Sequence, residues 1–276
     1  MLQRQTESGV TFYFSPLLRA RGVAHAFSTR LGGLSPAPFD SLNLGNPNGC
    51  EIQDDYERIW ENYRLLHRAA GCAADEKPCR VHQVHGAGVV RVRGGQAFDT
   101  HAKADAIVGD DPTRVLSVRV ADCVPILLAD ETGRTVAAAH AGWRGVVAGV
   151  INVALREMSN GAGVAGFVAA IGPCIGPDAF EVGPEVLEEF ARVFGARAPC
   201  RRRADGKGDV DLRQAVRLQL LAAGIPDSQI DSTDRCTFRD RDEFFSHRRD
   251  NGVTGRMAAV IQSGRARDPK KEGNHE

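Results

Sequence analysis

The sequence predicts an α/β protein, because short apolar runs typical of strands alternate along the chain with segments that have the apolar periodicity of one-sided helices. The composition is that of an ordinary globular protein, with 42% hydrophobic and 25% charged residues. At 276 residues the chain can bury a substantial core. It is therefore long enough for one large domain or two small ones.

The charge balance bears on the class of partner. Lys plus Arg and Asp plus Glu both total 35, so no positive field favours nucleic acid or anionic lipid, and a small-molecule or protein partner is expected. Residues 1–7 lack the apolar core of a signal peptide, and no run approaches the roughly 20 apolar residues of a membrane helix. The seven cysteines form no Cys-x-x-Cys pair, which fits a reducing compartment. We therefore expect a cytoplasmic protein.

Apolar runs and turn residues predict the order of the elements. Strands are predicted over residues 10–14, 23–28, 80–86, 89–92, 106–108, 115–120, 126–129, 135–139, 164–171 and 257–262. Helices are predicted over residues 54–70, with Asp54 as cap and Gly71 as stop, over 146–158, from Pro184 onward, and over 211–223. Loops are predicted over residues 35–49 and 196–209, and a disordered tail over residues 263–276.

The stretch from Ala121 to Gly145 is the chemical centre of the sequence. Its two apolar runs flank residues 130–133, which have the composition of a hairpin turn. Cys123 and His140 stand at the two open ends, and an antiparallel hairpin places such ends side by side. A thiolate beside an imidazole suits zinc, or a thiol nucleophile with its base, and both interpretations stay open here.

A histidine upstream is the candidate third member of this site. In the predicted strand 80–86, Gln83 and His85 share one face and His82 points to the other, so only one histidine can join Cys123 and His140. His85 is the better placed because it ends the strand beside a glycine. We expect Asp105 and Asp122, at or near strand ends, to stay hydrated.

Other polar residues are candidates for binding a substrate. The turn from strand to helix after Gly142 leaves free backbone N–H groups suited to an anion, and Arg144 adds a forked donor. Arg248 and Arg256 precede the last strand and suggest anion contacts, with rim salt bridges as the alternative. Three further candidates are Arg30, Asn43 and Cys174, for which a role in a turn or a solvated surface is the alternative.

Several short motifs occur along the chain. They are Ser41-Leu42-Asn43-Leu44-Gly45, Gln83-Val84-His85-Gly86, Ala121-Asp122-Cys123-Val124-Pro125, His140-Ala141-Gly142-Trp143-Arg144-Gly145, Gly172-Pro173-Cys174-Ile175-Gly176, Phe244-Phe245-Ser246-x-Arg248-Arg249-Asp250 and Thr254-Gly255-Arg256. With these motifs, in the same order, the chain resembles the YfiH-type laccase-domain proteins, also called multicopper polyphenol oxidoreductase-like proteins or peptidoglycan editing factors. The resemblance covers essentially the whole chain.

The resemblance implies a fold and a metal. The fold is a single α/β domain over residues 1–262, with helices on both sides of mixed sheets in an α/β/β/α arrangement that certain deamidating toxins share. The implied zinc ligands, which are also the catalytic candidates, are His85, Cys123 and His140. Three protein ligands leave one position open, as in catalytic zinc sites. Copper is less expected, because multicopper oxidases need many histidines and this chain has eight, without a His-x-His pair.

The resemblance also implies an activity, the phosphorolysis of purine nucleosides (adenosine, inosine, guanosine and methylthioadenosine) with adenosine deamination beside it. A nucleoside and phosphate are then the expected partners. Three alternatives remain: a thiol hydrolase or deamidase with Cys123 as nucleophile and His140 as base, a copper-dependent polyphenol oxidase, and an editing factor acting on peptidoglycan precursors. The residues do not indicate an oligomeric state.

Overall fold

The structure, a computed structural model, describes residues 1–73 and 75–264. Ser263 is buried and the backbone N–H of Gly264 donates to the carbonyl of Gly133. The rest of the tail for which disorder is predicted, from residue 265 on, lies outside the described residues. Among the helices of the described part, none is long and apolar enough to span a membrane.

Strands and helices follow one another largely in the predicted order. The helices are α1 (Pro16–Ala20), α2 (Tyr56–Ala70), α3 (Trp143–Val147), α4 (Val150–Ser159), α5 (Pro184–Phe194) and α6 (Leu212–Ala223). The strands are β1 (Gln3–Glu7), β2 (Val10–Phe14), β3 (Ala24–Ser28), β4 (Val89–Val92), β5 (Ala106–Gly109), β6 (Val115–Val120), β7 (Val124–Ala129), β8 (Val136–Ala141), β9 (Val168–Ile171), β10 (Glu181–Val182), β11 (Cys200–Arg202), β12 (Gly208–Val210), β13 (Ile230–Asp231) and β14 (Met257–Gln262).

Two large sheets form the centre of the molecule. A five-stranded antiparallel sheet has the order β1-β2-β3-β14-β6, and a six-stranded sheet has the order β13-β9-β7-β8-β5-β4. The second sheet is mixed, since β4 pairs with β5 and β13 with β9 in parallel while the other pairs are antiparallel. The predicted α/β fold with mixed sheets is confirmed.

Apolar side chains hold the layers together. Residues from the inner faces of both sheets, such as Phe27, Leu127 and Ile261, form one buried cluster between them. Helix α2 packs on the outer face of the five-stranded sheet through residues such as Tyr63 and Leu66. Helices α4, α5 and α6 pack on the outer side of the six-stranded sheet in a third cluster. Because each sheet is covered on both faces, its central strands are largely apolar, whereas the edge strand β1 is polar and mostly exposed.

Two predicted helices differ in detail from the observed ones. The cap of α2 is Asp55, whose side chain accepts from the N–H groups of Glu57 and Arg58, and not Asp54. The stop at Gly71 is as predicted, with a left-handed φ of 72°. The predicted helix 146–158 is divided into α3 and α4, because Gly149 between them has a φ of 77°, which a continuous helix does not allow.

Two predicted elements are corrected by the structure. Residues 80–86 do not form a strand, because the backbone N–H groups of 84–86 donate to the Asp105 carboxylate and not to a neighbouring strand. The basic segment 196–209 is not a plain loop, since it contains β11 and β12, which join β10 in a small antiparallel sheet. Its positive charge is offset there by Asp209, which forms ion pairs with Arg201 and Arg203.

Candidate metal centre

The hairpin predicted around residues 130–133 is formed by β7 and β8. Its register pairs Val124 with Ala141 and Pro125 with His140, so Cys123, one residue before β7, lies beside the end of β8. Ligand atoms of His85, Cys123 and His140 all lie within 4.8 Å of one another. The two imidazole rings meet edge to face, with centroids 4.9 Å apart. The structure thus brings the three predicted ligands together.

His85 reaches the cluster from an irregular segment. It has a left-handed φ of 60°, which is uncommon for a residue with a side chain. This backbone is held by Asp105, which accepts hydrogen bonds from the N–H groups of His85 at 2.9 Å and Gly86 at 2.6 Å. Such unusual backbone geometry clusters at functional sites, where the surrounding structure enforces it.

Asp105 is the central residue of the surrounding hydrogen bonds. It is fully buried, so the expectation that it stays hydrated is wrong. Besides the backbone N–H groups of 84–86, its Oδ1 accepts from Nδ1 of His140 at 2.8 Å. Burial alone would raise the pKa of this carboxyl, but the His140 bond and the backbone bonds lower it. With Nδ1 engaged, Nε2 is the ring nitrogen of His140 that remains for a metal.

Cys123 and His140 influence each other strongly in the metal-free protein. Burial would raise the pKa of the Cys123 thiol, but the charge of His140 and hydrogen bonds from His140 and His85 lower it to about 6. Burial would lower the pKa of His140, but the Cys123 charge and Asp105 raise it to about 9. The lowered pKa of Cys123 and the raised pKa of His140 both favour a thiolate beside an imidazolium. The sulfur atom then carries the negative charge and is nucleophilic.

The donor set fits zinc. Around a tetrahedral zinc ion with bonds of about 2.0–2.3 Å, the ligand atoms stand roughly 3.5 Å apart, which side-chain adjustments of about 1 Å achieve here. Room for this closure comes from Gly142, where a Cβ would lie 3.0 Å from Cys123 Sγ and 3.0 Å from His85 Cδ2. A glycine is therefore needed beside the cluster for the two ligands to approach each other.

The cluster opens onto a cavity of about 310 Å³, at the small end of the usual size range for small-molecule sites. Its walls combine the three candidate ligands with amides, arginines, further histidines and apolar groups. The lining residues are Asn46, Asn48, His82, Gln83, His85, Arg119, Val120, Ala121, Asp122, Cys123, His140, Ile175, Phe180, His247, Arg248 and Arg256.

Asp122 ties the C-terminal part of the chain to this cavity. It is buried, contrary to the expectation that it stays hydrated, and has a φ of 92°. Its carboxylate accepts from Thr237 Oγ1 at 2.6 Å and from the backbone N–H of Arg248 at 2.7 Å. Its carbonyl accepts from the N–H of Ile175 at 2.9 Å. The residue before Cys123 therefore positions two walls of the cavity.

Comparison with known proteins places the chain in a family. The family model described as multi-copper polyphenol oxidoreductase laccase matches residues 24–264. The chain belongs to this family. One relative, purine nucleoside phosphorylase YfiH of Escherichia coli (strain K12), is 39% identical over 241 residues, 87% of this chain and 94% of the relative. The purine nucleoside phosphorylase of Deinococcus radiodurans is 38% identical over 261 residues, 94% of this chain and 95% of the relative.

Solved structures of family members have the same fold. The crystal structure of YlmD from Geobacillus stearothermophilus has a TM-score of 0.82 at 34% identity, covering 95% of this chain and 99% of that one. The Bacillus licheniformis hypothetical protein YfiH has a TM-score of 0.83 at 29% identity, covering 94% and 98%. The predicted resemblance to YfiH-type proteins is confirmed, and the protein is an enzyme of this family.

Two of the predicted substrate residues line the cavity and four do not. Arg248 and Arg256 are in its wall. Arg30 instead pairs with Asp40 and stacks on Phe245 outside it. Asn43 is fully buried, where its amide donates to Asp54 and accepts from the backbone N–H groups of Gly45 and Arg256. This bonding fixes the loop 43–54 against the start of β14.

Arg144 and Cys174 also lie apart from the cavity. Arg144 is exposed, with its guanidinium 4.2 Å from the centre of the Trp143 ring. Helix α3, which Arg144 helps to begin, has five residues, too few for a strong helix dipole. Cys174 is fully buried, which raises the pKa of its thiol to about 11 and leaves it unreactive.

Three groups in or behind the cavity wall were not predicted to belong to the site. Asp105 stands between two alanines immediately before β5, and a buried carboxylate in such a setting must be hydrogen bonded, which was the available signal. Arg119 is the one charged residue within β6 and lines the cavity from there. Phe180 supplies an aromatic ring to the wall, and nothing in its sequence context indicates that position.

Proposed function

We propose that this enzyme is a zinc-dependent purine nucleoside phosphorylase that acts on adenosine, inosine, guanosine and methylthioadenosine and also deaminates adenosine. The observation that carries the proposal is the cluster of His85, Cys123 and His140 at the wall of a cavity that also presents Arg248 and Arg256. Relatives named purine nucleoside phosphorylase support the reaction class. A cytoplasmic location is part of the proposal and is supported by the seven cysteines, all of which are free.

The choice of zinc follows from the donor set. His85, Cys123 and His140 would hold the ion, and bound zinc would act as a Lewis acid at its open position. Within residues 1–73 and 75–264, this is the single group of three or more clustered potential ligands. A multicopper centre requires additional histidine clusters, so the residues favour zinc over the copper in the family's description.

The cavity offers complementary groups for a nucleoside. Phe180 and Ile175 supply an apolar surface on which a purine ring can stack, and the guanidinium of Arg248 lies 5.4 Å from the centre of the Phe180 ring. The side chains of Asn46 and Asn48 supply amide donors and acceptors for base or ribose. We assign the base to the Phe180 side, because Ile175 adds a second apolar side chain to the cavity lining.

Phosphorolysis requires the two substrates to be held in line. A phosphate oxygen attacks C1′ of the ribose, the C1′–N9 bond breaks, and the purine leaves with the bonding electrons and takes up a proton. Arg256 offsets the phosphate charge, and Arg248 fixes the nucleoside through the Phe180 wall. Holding both reactants in such a geometry replaces an encounter in solution, which can lower the barrier by about 7–11 kcal/mol.

The decisive assay is incubation of zinc-loaded enzyme with inosine, with and without phosphate. We expect hypoxanthine and ribose 1-phosphate when phosphate is present, and a separate incubation with adenosine should yield inosine. Cys123→Ser should abolish both reactions. Cys200→Ser, which changes a half-buried cysteine in β11, should leave both unchanged. Absence of hypoxanthine with and without phosphate would refute the phosphorylase proposal.

A thiol hydrolase is the second candidate, because the Cys123 sulfur lies within 4.8 Å of a His140 ring nitrogen and the charge of His140 lowers the pKa of the thiol. In that case Cys123 is the nucleophile and His140 its base. Iodoacetamide labelling of Cys123, followed by mass spectrometry, separates the two candidates. Zinc at Cys123 protects the sulfur until a chelator is added, whereas a thiol hydrolase reacts rapidly with and without chelator.

A further inference from the structure

We propose that Arg119 and Arg256 form a subsite for inorganic phosphate beside the candidate metal centre, and that Gln83 is the positioning residue that holds Arg119 in place. The inference rests on the proposed function in one respect, since phosphate is the co-substrate of that reaction. Binding of phosphate can nevertheless be measured without any turnover.

The sheet register places the two arginines together. Strands β6 and β14 are antiparallel, with Arg119 opposite Ala258 and Val120 opposite Met257. Directly paired residues of neighbouring strands project from the same face, as do residues two apart in one strand. Arg256 lies two residues before Ala258 and one residue before β14 begins, so it adjoins Arg119 at this end of the sheet. Both side chains reach the cavity wall.

The two guanidinium groups lack an acidic partner. Within the described residues, no carboxylate oxygen lies within ion-pair distance of either group, and Arg119 makes hydrogen bonds only through its backbone. Arg256 donates to the carbonyl oxygens of Thr254 at 2.9 Å and Gly255 at 3.0 Å. The nearby Asp122 already accepts from Thr237 and Arg248. Two neighbouring cations are thus left facing the cavity.

Both arginines are partly buried, and this makes the arrangement costly without an anion. Desolvation and the charge of Arg80 lower the pKa of Arg119, whereas Tyr63 and Tyr56 raise it. Desolvation also lowers the pKa of Arg256, and so does the charge of Arg119, whereas Asp122 and Cys123 raise it. Charges that are partly withdrawn from water are normally paired, so a bound anion would offset the cost. A tetrahedral phosphate presents oxygens that match the forked donors of two guanidinium groups.

Gln83 connects this subsite to the metal centre. Its side-chain amide donates to the carbonyl of Arg119 at 2.8 Å and accepts from the N–H of Arg119 at 2.9 Å, as a neighbouring strand would. Two residues later the same segment supplies His85 to the metal cluster. One short segment therefore fixes the distance between the arginine pair and the metal ligands. The phosphate is held where the nucleoside beside the metal can meet it.

The first experiment titrates inorganic phosphate into zinc-loaded protein by calorimetry at constant ionic strength, with no nucleoside present. We expect saturable binding that Arg119→Gln and Arg256→Gln each weaken about tenfold or more, since each removes charge-assisted hydrogen bonds. Arg192→Gln is the matched control, because Arg192 is an exposed residue of α5 that pairs with Glu189. Absent binding by wild type, or equal binding by all four proteins, overturns the proposal.

A second arm separates two sources of the same chemistry, because the 5′-phosphate of a nucleotide presents similar oxygens. AMP is titrated in the same way. If AMP binds through Arg119 while inorganic phosphate does not, the subsite belongs to a phosphate ester and the assignment is overturned. If phosphate binds through Arg119 and Arg256 but inosine is not cleaved, the subsite stands and the phosphorylase proposal fails.

The role of Gln83 is tested by kinetics of inosine cleavage. Gln83→Met removes both hydrogen bonds to the backbone of Arg119 at similar side-chain volume, so the KM for phosphate should rise at least several-fold while the KM for inosine stays unchanged. Gln83→Met should also weaken phosphate binding at least several-fold in the calorimetric titration. Equal changes in both KM values, or unaltered phosphate binding, contradict a positioning role.

Discussion

Asp105 joins the two histidines of the candidate metal centre, because its Oδ1 accepts both from Nδ1 of His140 at 2.8 Å and from the backbone N–H of His85 at 2.9 Å. One buried carboxylate therefore orients an imidazole ring and fixes the strained backbone that carries the other. A partner of this kind sets the tautomer of a metal-binding histidine and increases its basicity.

Substitution of the Asp105 carboxylate should weaken zinc binding directly, beyond any effect on folding. In Asp105→Asn a single amide oxygen replaces two carboxylate oxygens, so it cannot accept all the backbone bonds and the bond from His140. The negative charge that stabilises the His140 ring is also lost. We expect about 10- to 100-fold lower zinc affinity, measured by competition with a chromophoric chelator. Asp227→Asn is the control, since Asp227 lies on the surface and pairs with Arg217. Equal zinc affinity in the two variants contradicts the role of Asp105.

Gly142→Ala tests whether the metal ligands need to close on one another. The added Cβ would lie 3.0 Å from both Cys123 Sγ and His85 Cδ2, closer than ordinary packing contacts. We expect zinc occupancy after dialysis to drop well below one per chain, with about 1–3 kcal/mol lost in stability. Gly163→Ala, where nothing lies within 4 Å of the added Cβ, should keep full occupancy. Full zinc occupancy in Gly142→Ala would show that the space left by the missing Cβ is not needed for metal binding.

The apparent affinity for zinc should decrease in two stages as the pH is lowered. The pKa of His140 is about 9 and that of Cys123 about 6 in the metal-free protein. Between these values zinc displaces the His140 proton, so apparent affinity falls about tenfold per pH unit. Below pH 6 the thiolate is protonated as well, and the fall reaches about hundredfold per unit. Occupancy and activity should decline together from about pH 7 to 5, and excess zinc should restore both. Activity at pH 5 in metal-depleted protein would exclude zinc catalysis.

His25 should make the fold sensitive to acid. Burial lowers its pKa to about 4, and its Nε2 accepts from the N–H of Ser15 at 2.8 Å, a bond that protonation breaks. Since the folded-state pKa lies below the unfolded value near 6.5, stability is lost as pH falls from about 6.5 to 4 and no further below it. The loss from His25 is about 3 kcal/mol. Urea unfolding of wild type and His25→Gln at pH 7 and 4.5 checks this, because the variant should lose less stability over that interval.

Local sequence signals were enough for the parts of the fold that depend on neighbouring residues. The hairpin of β7 and β8 follows from two apolar runs around a turn, and it alone brings Cys123 near His140. Helix α2 and its stop at Gly71 follow from periodicity and a glycine that can adopt positive φ. These features need no knowledge of distant contacts.

Features that depend on distant contacts were not predictable in the same way. The irregular path through His85 is imposed by Asp105, 20 residues further along, which takes up the N–H groups that a strand would have shared. The hairpin of β11 and β12 depends on Asp209 and Glu181 neutralising a run of arginines. The position of the Arg119 side chain at the cavity depends on the pairing of Arg119 with Ala258, which lies more than a hundred residues further along the chain.

The segment formed by residues 79–83, which ends with Gln83, also protects the molecule from unwanted association. Strand β6 is the last strand of its sheet, and a last strand normally presents free backbone groups to other molecules. Here Cys79 bonds to the carbonyl of Val115 at 2.7 Å and the N–H of Ser117 at 3.0 Å, and the Gln83 amide occupies both groups of Arg119. A strand from a second chain finds these positions taken. The segment therefore also acts as a built-in barrier to fibre-like aggregation along this edge.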